Sequence, residues 1–421
     1  MDLEQDLRRV LHERSTPEPD GDIVASVHRG MKRRVRRKRL SYVGATAGVL
    51  ALWGGAVMVL QPAASTSKPT VPTTLIANVP SGFQINDLTF VSTTRGYALG
   101  TTPCSGGSRC TVLLQTDTGT QQWERAIAPT GVRSSRPDGS GCPDGLCVSQ
   151  LRFAQDATGE EIGYAFGPSY ALFSGGEWQP QLVGHRVEAL EAERQGSVVR
   201  VLARPGGGHV VQQSTVGSSD WTTVLDIAAP TYNAVLKRQG QRLVLVTYDN
   251  NQGVGAESDV SDVRVSDDGG STWSKAAHNP CDPDSYFRSV ALARLKDVVV
   301  ACTHRAGGSY VRMSSDNGRR FGTPTDLPKG LDALQVAAPA RGGSWLVAGD
   351  APSERTRVVV RSEDEGRTWK RVATEPNPAG VKATGFLDNS NATTVWWIGA
   401  DPRFVWRTDD AGKDWTAARF R

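Results

Sequence analysis

From residue 81 to the C-terminus, apolar residues come in short runs of strand length, set between turn residues. Gly96-Tyr97-Ala98-Leu99-Gly100, Gly163-Tyr164-Ala165-Phe166-Gly167 and Trp345-Leu346-Val347-Ala348-Gly349 are small, Gly-flanked runs that suit a crowded strand buried on both faces. One stretch shows a complete unit. Arg288 to Arg294 alternates and predicts a strand A, Asp297 to Thr303 with Val298-Val299-Val300-Ala301 a strand B, and Ser309 to Ser315 a strand C, with Phe321 opening a strand D. A different pattern precedes these units. Leu40 to Leu60 is 21 residues without a charge, long enough to cross a bilayer as a helix.

The strand units carry a recurring turn. Ser266, Asp268, Gly270, Thr272 and Trp273 fit S-x-D-x-G-x-T-W, and Ser362, Asp364, Gly366, Thr368 and Trp369 fit it again. Ser314, Asp316, Gly318 and Phe321 form a third copy, and Thr408, Asp410, Gly412 and Trp415 a fourth. Three worn copies lie upstream: Asp117, Gly119 and Trp123; Gly175 and Trp178; Ser214 and Trp221. The seven aromatic positions are spaced by 43 to 55 residues, and 341 residues from 81 to 421 divide into seven units of about 49. That is the length of a four-stranded propeller blade.

The motif resembles the Asp-box, or bacterial neuraminidase repeat, found in β-propellers such as sialidases, sortilin-type receptors and photosystem II stability/assembly factors. The resemblance implies an all-β fold, a seven-bladed β-propeller of four-stranded antiparallel blades, closest in size and blade number to the assembly-factor kind. The chemistry of the motif is that of a turn. Asp accepts backbone N–H groups, Gly supplies positive φ, and the aromatic buries apolar surface against the next blade. Thr74 to Val79 are free to add to the last blade, and the sequence leaves ring closure open.

The N-terminal region has another character. Lys32 to Arg39 holds seven cations in eight residues directly before Leu40 to Leu60, so the positive-inside rule places residues 1–39 in the cytoplasm and the propeller outside. An uncleaved anchor is the favoured reading; a cleaved signal peptide would be long and would end at a poor site around Pro62-Ala63-Ala64, and a twin-arginine signal lacks its following pattern. The expected order is a cytoplasmic basic tail at 1–39, a transmembrane helix at 40–60, a Pro/Ser/Thr-rich stalk at 61–80 and the propeller at 81–421. Asp2 to His12 has helical spacing, so the tail offers a surface to anionic lipid or to a cytoplasmic partner.

Charge separates the same regions. Residues 1–39 carry 11 Lys and Arg against 7 Asp and Glu, and the remainder carries 37 against 37. With the excess confined to the tail, the propeller has no bulk field for nucleic acid. Cys104 with Cys110, Cys142 with Cys147, and Cys281 with Cys302 all fall outside the tail, and an even count in an exported segment reads as three local disulfides. Blade geometry puts all six on the face opposite the Asp-boxes, together with the long insertions Pro129 to Leu146 and Tyr248 to Ser261. A partner is expected to bind that face.

Aligning the ends of strand B sets Thr101, Pro168, Arg204, Asp249, His304, Asp350 and Asp401 around one rim, of which Arg204, Asp249, His304, Asp350 and Asp401 are the candidate binding residues. Three carboxylates and a His could bind a cation or act as an acid/base pair, though solvated polar loop ends are the commoner case. Asp249-Asn250-Asn251-Gln252-Gly253 lacks the closing Glu of a calcium loop, and Trp396-Trp397 with Trp406 fit sugar stacking or packing between blades. Sialidases place F/Y-R-I-P before the first box; no R-I-P occurs here, and Phe287-Arg288-Ser289-Val290 is no substitute. No catalytic residue, cofactor or metal is expected. The favoured function is a membrane-anchored extracytoplasmic scaffold that binds a protein or glycan. The alternatives are a glycan-cleaving propeller and a sensor that signals through the tail.

Overall fold

The computed structural model describes residues 73–76, 78–104, 109–119, 121–129, 133–134, 147–228, 231–249, 259–293, 296–339, 343–377, 386–389 and 393–420. The chain divides into two units, residues 1–68 and 69–421. The tail, Leu40 to Leu60, most of the stalk, Cys142 and Asn250 to Gly253 lie outside the described residues. Among the described residues no helix is long and apolar enough to cross a membrane.

Seven antiparallel sheets, each with four strands in the order A-B-C-D, make the second unit a seven-bladed β-propeller. The inner A strands of blades one to seven are Gln84–Phe90, Gln150–Gln155, Val187–Ala192, Asn233–Gln239, Ser285–Leu292, Asp332–Ala337 and Phe386–Asn389. Three of the B strands are the Gly-flanked apolar runs, and in blade five Val298–His304 has six of its seven residues buried. A strand without polar positions must be covered on both faces, and neighbouring blades do this. Val299, Val311, Val336, Val347 and Val358, from blades five and six, share one apolar cluster, and Phe321 packs into another between blades four and five.

Two local expectations change. Strand D of blade five is only Thr325–Asp326, so Phe321 precedes that strand instead of opening it. Gly322 N–H still reaches Met313 C=O at 2.8 Å, but Pro324 has no N–H to continue the ladder. Ring closure is now defined. Thr73–Ile76 pairs in parallel with Thr416–Phe420 as a fifth, outermost strand of blade seven. Its Ile76 is fully buried, and Phe83 packs edge-on against Phe420 with centroids 5.1 Å apart. At the same junction Phe90 of blade one stacks on Trp396 of blade seven at 3.6 Å.

In blades one, three, five and six strand A bulges near its start, after Ile85, Val187, Phe287 and Ala333. A bulge turns one extra side chain out of the ladder. In three of these blades that residue, Asn86, Glu188 or Arg288, lines the central channel.

Candidate functional site

The four intact turn motifs share one hydrogen-bond pattern. In blade four the Ser266 hydroxyl donates to Asp268 Oδ1 at 2.8 Å and accepts Gly270 N–H at 2.9 Å, while Asp268 accepts Thr272 N–H at 2.9 Å and the Thr272 hydroxyl at 2.6 Å. Blades five, six and seven repeat the bond from the glycine N–H to the hydroxyl at 2.8 to 3.0 Å. The Thr368 hydroxyl and N–H hold the Asp364 carboxyl below its usual range. Each box glycine has positive φ, and at Gly270 a Cβ would stand 2.5 Å from Val199 of blade three. The hydroxyl, carboxylate and glycine N–H of each box are thus engaged in the turn itself, and Trp415 is buried against blade six.

The opposite face carries the described cysteines. Cys104 and Cys110, Cα atoms 5.7 Å apart, bridge a B-to-C connection, and Cys281 and Cys302, 5.8 Å apart, tie the blade four to blade five connection to the end of a B strand. For the remaining pair, Cys142 is outside the described residues.

The rim residues do not form one ring. Pairing at the bulges (Ile85 with Gly100, Val187 with Leu202, Phe287 with Cys302, Ala333 with Gly349) sets Thr101, Ala203, Thr303 and Asp350 at one level. Arg204 and His304 stand one residue further along. In a period-2 strand that single step sends the side chain to the other side. Arg204 forms an ion pair with Asp226. Asp249 closes strand B of blade four opposite Asp259, and His304 Nδ1 lies 3.0 Å from the Ser285 hydroxyl with its ring against Tyr310. Asp350 is held by Arg357 at 2.8 Å and Asn377 at 3.0 Å, and Asp401 by Arg403 at 2.6 Å. Trp396, Trp397 and Trp406 are all buried, so they pack between blades and offer no stacking surface for a sugar.

Asp350 and Asp401 are linked through a residue missed in the sequence. Asp350, Arg357 and Glu375 are successive cross-strand partners in blade six. Glu375 then accepts N–H groups of Ala400 at 3.0 Å and Asp401 at 3.1 Å in blade seven. Burial pushes its carboxyl up to about 7 against the pull of those N–H groups. An elevated carboxyl beside a depressed one is the arrangement of an acid/base pair. Here protein fills the space instead, because a Cβ on Gly399 would lie 1.6 Å from Glu375 Oε2.

The second group missed in the sequence lies on the channel wall. Arg152 of blade two meets Asp87 of blade one at 3.2 Å and Glu191 of blade three at 3.4 Å. Lys237 of blade four meets Asp388 of blade seven at 2.7 Å. Buried His209 bridges Glu188 and the Thr231 hydroxyl, each at 2.7 Å. Asp87, Arg152, Glu191, Lys237 and Asp388 come from five different blades, Glu188 and His209 both from blade three, and the turn motif carries no signal for any of them. Among the described residues no group of His, Cys, Asp and Glu is arranged to hold a metal ion.

Strand topology and register thus define the class: a seven-bladed propeller with a charged central channel. No protein-family model matches the chain, and no curated protein does. Among solved structures, YCF48 bound to D1 peptide is 12% identical with a TM-score of 0.39, covering 83% of this chain and 88% of that one. A protein of unknown function from Dyadobacter fermentans is 12% identical with a TM-score of 0.42, over 83% and 96%. The GH74 xyloglucanase of Xanthomonas campestris is 13% identical with a TM-score of 0.27, over 79% and 72%. At these identities and scores none of the three informs on ligand or activity.

Proposed function

We propose that the protein is a membrane-anchored, extracytoplasmic propeller of the Asp-box type that binds a protein or glycan partner on its cysteine-bearing face and catalyses no reaction. The observation that carries this reading is the local neutralisation of two of the three rim acids. Asp350 is clasped by Arg357 and Asp401 by Arg403. A carboxylate held by a guanidinium is a poor proton donor and a poor nucleophile. The box residues are engaged in their own turns, which supports the Asp-box reading of the repeat. The basic run before Leu40 to Leu60 supports an N-terminus in the cytoplasm, a transmembrane helix at 40–60, a stalk at 61–80 and a propeller at 81–421.

Protease added to intact cells is expected to remove the propeller and leave a membrane-bound stub; a protected propeller would overturn the placement. For the chemistry, the full chain is incubated with a panel of glycans and release of reducing ends is followed. No release is expected. Hydrolysis that disappears in Asp350→Asn, Asp401→Asn or Glu375→Gln would replace the scaffold reading with the glycosidase one.

A further inference from the structure

The glycine of each intact box rests against the blade before it. A Cβ on Gly270 would stand 2.5 Å from Val199 of blade three, one on Gly318 3.1 Å from Val265 of blade four, one on Gly366 3.1 Å from Thr325 of blade five, and one on Gly412 2.5 Å from Leu346 of blade six. Register carries these contact positions over to the other blades. Val199 and Leu346 each follow the strand B residue that pairs with the turn serine, Val265 directly precedes that serine in strand C, and Thr325 lies opposite Val311, three residues before it. In blade one, counted from Thr116, the same positions are Tyr97, Gln115 and Ala126.

The turn of blade two is too short to reach them. Three residues separate Ser174 from Trp178, where six separate Ser266 from Trp273, and a Cβ on Gly175 or Gly176 would meet nothing within 4 Å. Tyr97, Gln115 and Ala126 instead line a cavity of about 260 Å³ between blades one and two, with Phe153 and Phe173 on the blade two side and Ile127, 59% exposed, at its edge. The polar groups of the walls are already engaged. The Tyr97 hydroxyl donates to Glu161 at 2.5 Å and accepts Arg95 at 2.8 Å, Arg95 also meets Glu161 at 2.7 Å and Asp117 at 2.6 Å, and the Gln115 amide donates to Glu124 at 2.6 Å. Arg125 stands opposite Leu114, whose side chain joins the apolar cluster shared with blade seven, so the guanidinium leaves on that side. What the cavity offers is carbon, with the Phe153 ring stacked on Tyr97 at 3.7 Å and edge-on to Phe173 at 5.9 Å.

We propose that the seam between blades one and two is a docking site for a partner protein, which places an aromatic side chain, carried on a tight turn, at the position that a box turn takes in the seams of blades four to seven. Those seams show that walls of this shape accept a folded turn. Apolar walls gain from an apolar group and would strip a charged one of its water without return. An aromatic ring fits best, because Phe153 and Phe173 offer it face and edge contacts. The inference does not rest on binding at the cysteine-bearing face.

Equilibrium dialysis of the detergent-solubilised full chain tests it, with N-acetyl-phenylalaninamide as the probe and N-acetyl-alaninamide as its control. The phenylalanine probe is expected to bind, and the alanine analogue to bind at least tenfold more weakly. Ala126→Leu, which extends a wall residue into the cavity, should weaken the phenylalanine probe at least tenfold. Replacing Ser174 to Glu177 by the sequence of Ser266 to Thr272 gives blade two a full box turn, and should both abolish binding of the probe and raise the melting temperature. Thermal melting of each variant separates lost binding from lost folding. No binding of the phenylalanine probe at millimolar concentration, equal binding of the alanine analogue, or undiminished binding in either folded variant would each overturn the proposal.

Discussion

In blade four the turn into strand D is tied by a hydroxyl, a carboxylate and a glycine that satisfy one another. In blade two the same turn is Gly175-Gly176, both at positive φ, with Gly175 N–H donating to Glu160 of the adjoining A-to-B turn at 2.5 Å. Blade three uses the Ser214 hydroxyl to reach Asp220 C=O at 2.6 Å, and blade one has Thr116 in place of the box serine and Thr118 in place of the box acid. Yet Gly119 N–H of blade one still bonds Thr94 C=O at 2.8 Å, as Gly269 N–H of blade four bonds Gln241 C=O at 2.8 Å. What the blades share is the seam between the two turns of one face. The side chains that shape each turn are exchangeable so long as the backbone arrives there.

The largest expected effect tests whether the box of blade seven is more tightly built than the worn copy of blade three. Trp415→Ala removes a buried ring packed between blades six and seven and should cost about 3 to 5 kcal/mol. Trp221→Ala, at a half-buried ring covered on one side by Arg200 at 3.8 Å, should cost less than half of that. Equal losses in chemical denaturation would erase the contrast.

The seam between blades six and seven supplies the next test. Glu375 has its folded-state value raised from 4.5 to about 7, so the bound proton favours the folded protein. That contribution is fully present below about pH 4.5 and is lost as pH rises to about 7. Glu375→Gln should flatten this dependence and stabilise the protein above pH 7 by on the order of 3 kcal/mol at most, less whatever the two N–H groups lose in bonding an amide. An unchanged slope in melts between pH 4.5 and 8 would show that Glu375 is not the titrating group.

Smaller effects separate the turns themselves. Ser314→Ala strands the buried Gly318 N–H and should cost about 1 to 3 kcal/mol. Ser214→Ala removes a donor from a carbonyl near solvent and should cost less; the reverse order would put the stronger turn in blade three. Smallest of all, Ala411→Gly relieves a left-handed residue, φ 60°, and should add a few tenths of a kcal/mol, up to about 1, whereas Gly175→Ala in blade two, φ 62°, should lose a similar amount. The two signs, read from melting temperatures, check that the αL position is common to both halves.

Repetition made the fold legible. A turn of fixed chemistry recurring at blade length fixes strand count, blade count and the face on which the turns lie, because each copy is shaped by neighbours within eight residues of itself. The pairing of Cys104 with Cys110 and of Cys281 with Cys302 could be read for the same reason, the partners lying 6 and 21 residues apart. Register could not. Cross-strand pairing of Val187 with Leu202 and of Phe287 with Cys302 sets Ala203 and Thr303 at the rim level, one residue before Arg204 and His304, and the ends of the apolar runs do not reveal that pairing. The charged channel was out of reach altogether: Lys237 and Asp388 are 151 residues apart, and they meet only because a closed ring of seven blades brings its fourth and seventh members face to face. Local hydrogen bonding, written in the sequence, determined what each blade is; closure of the ring, a property of all seven together, decided which charges share a cavity.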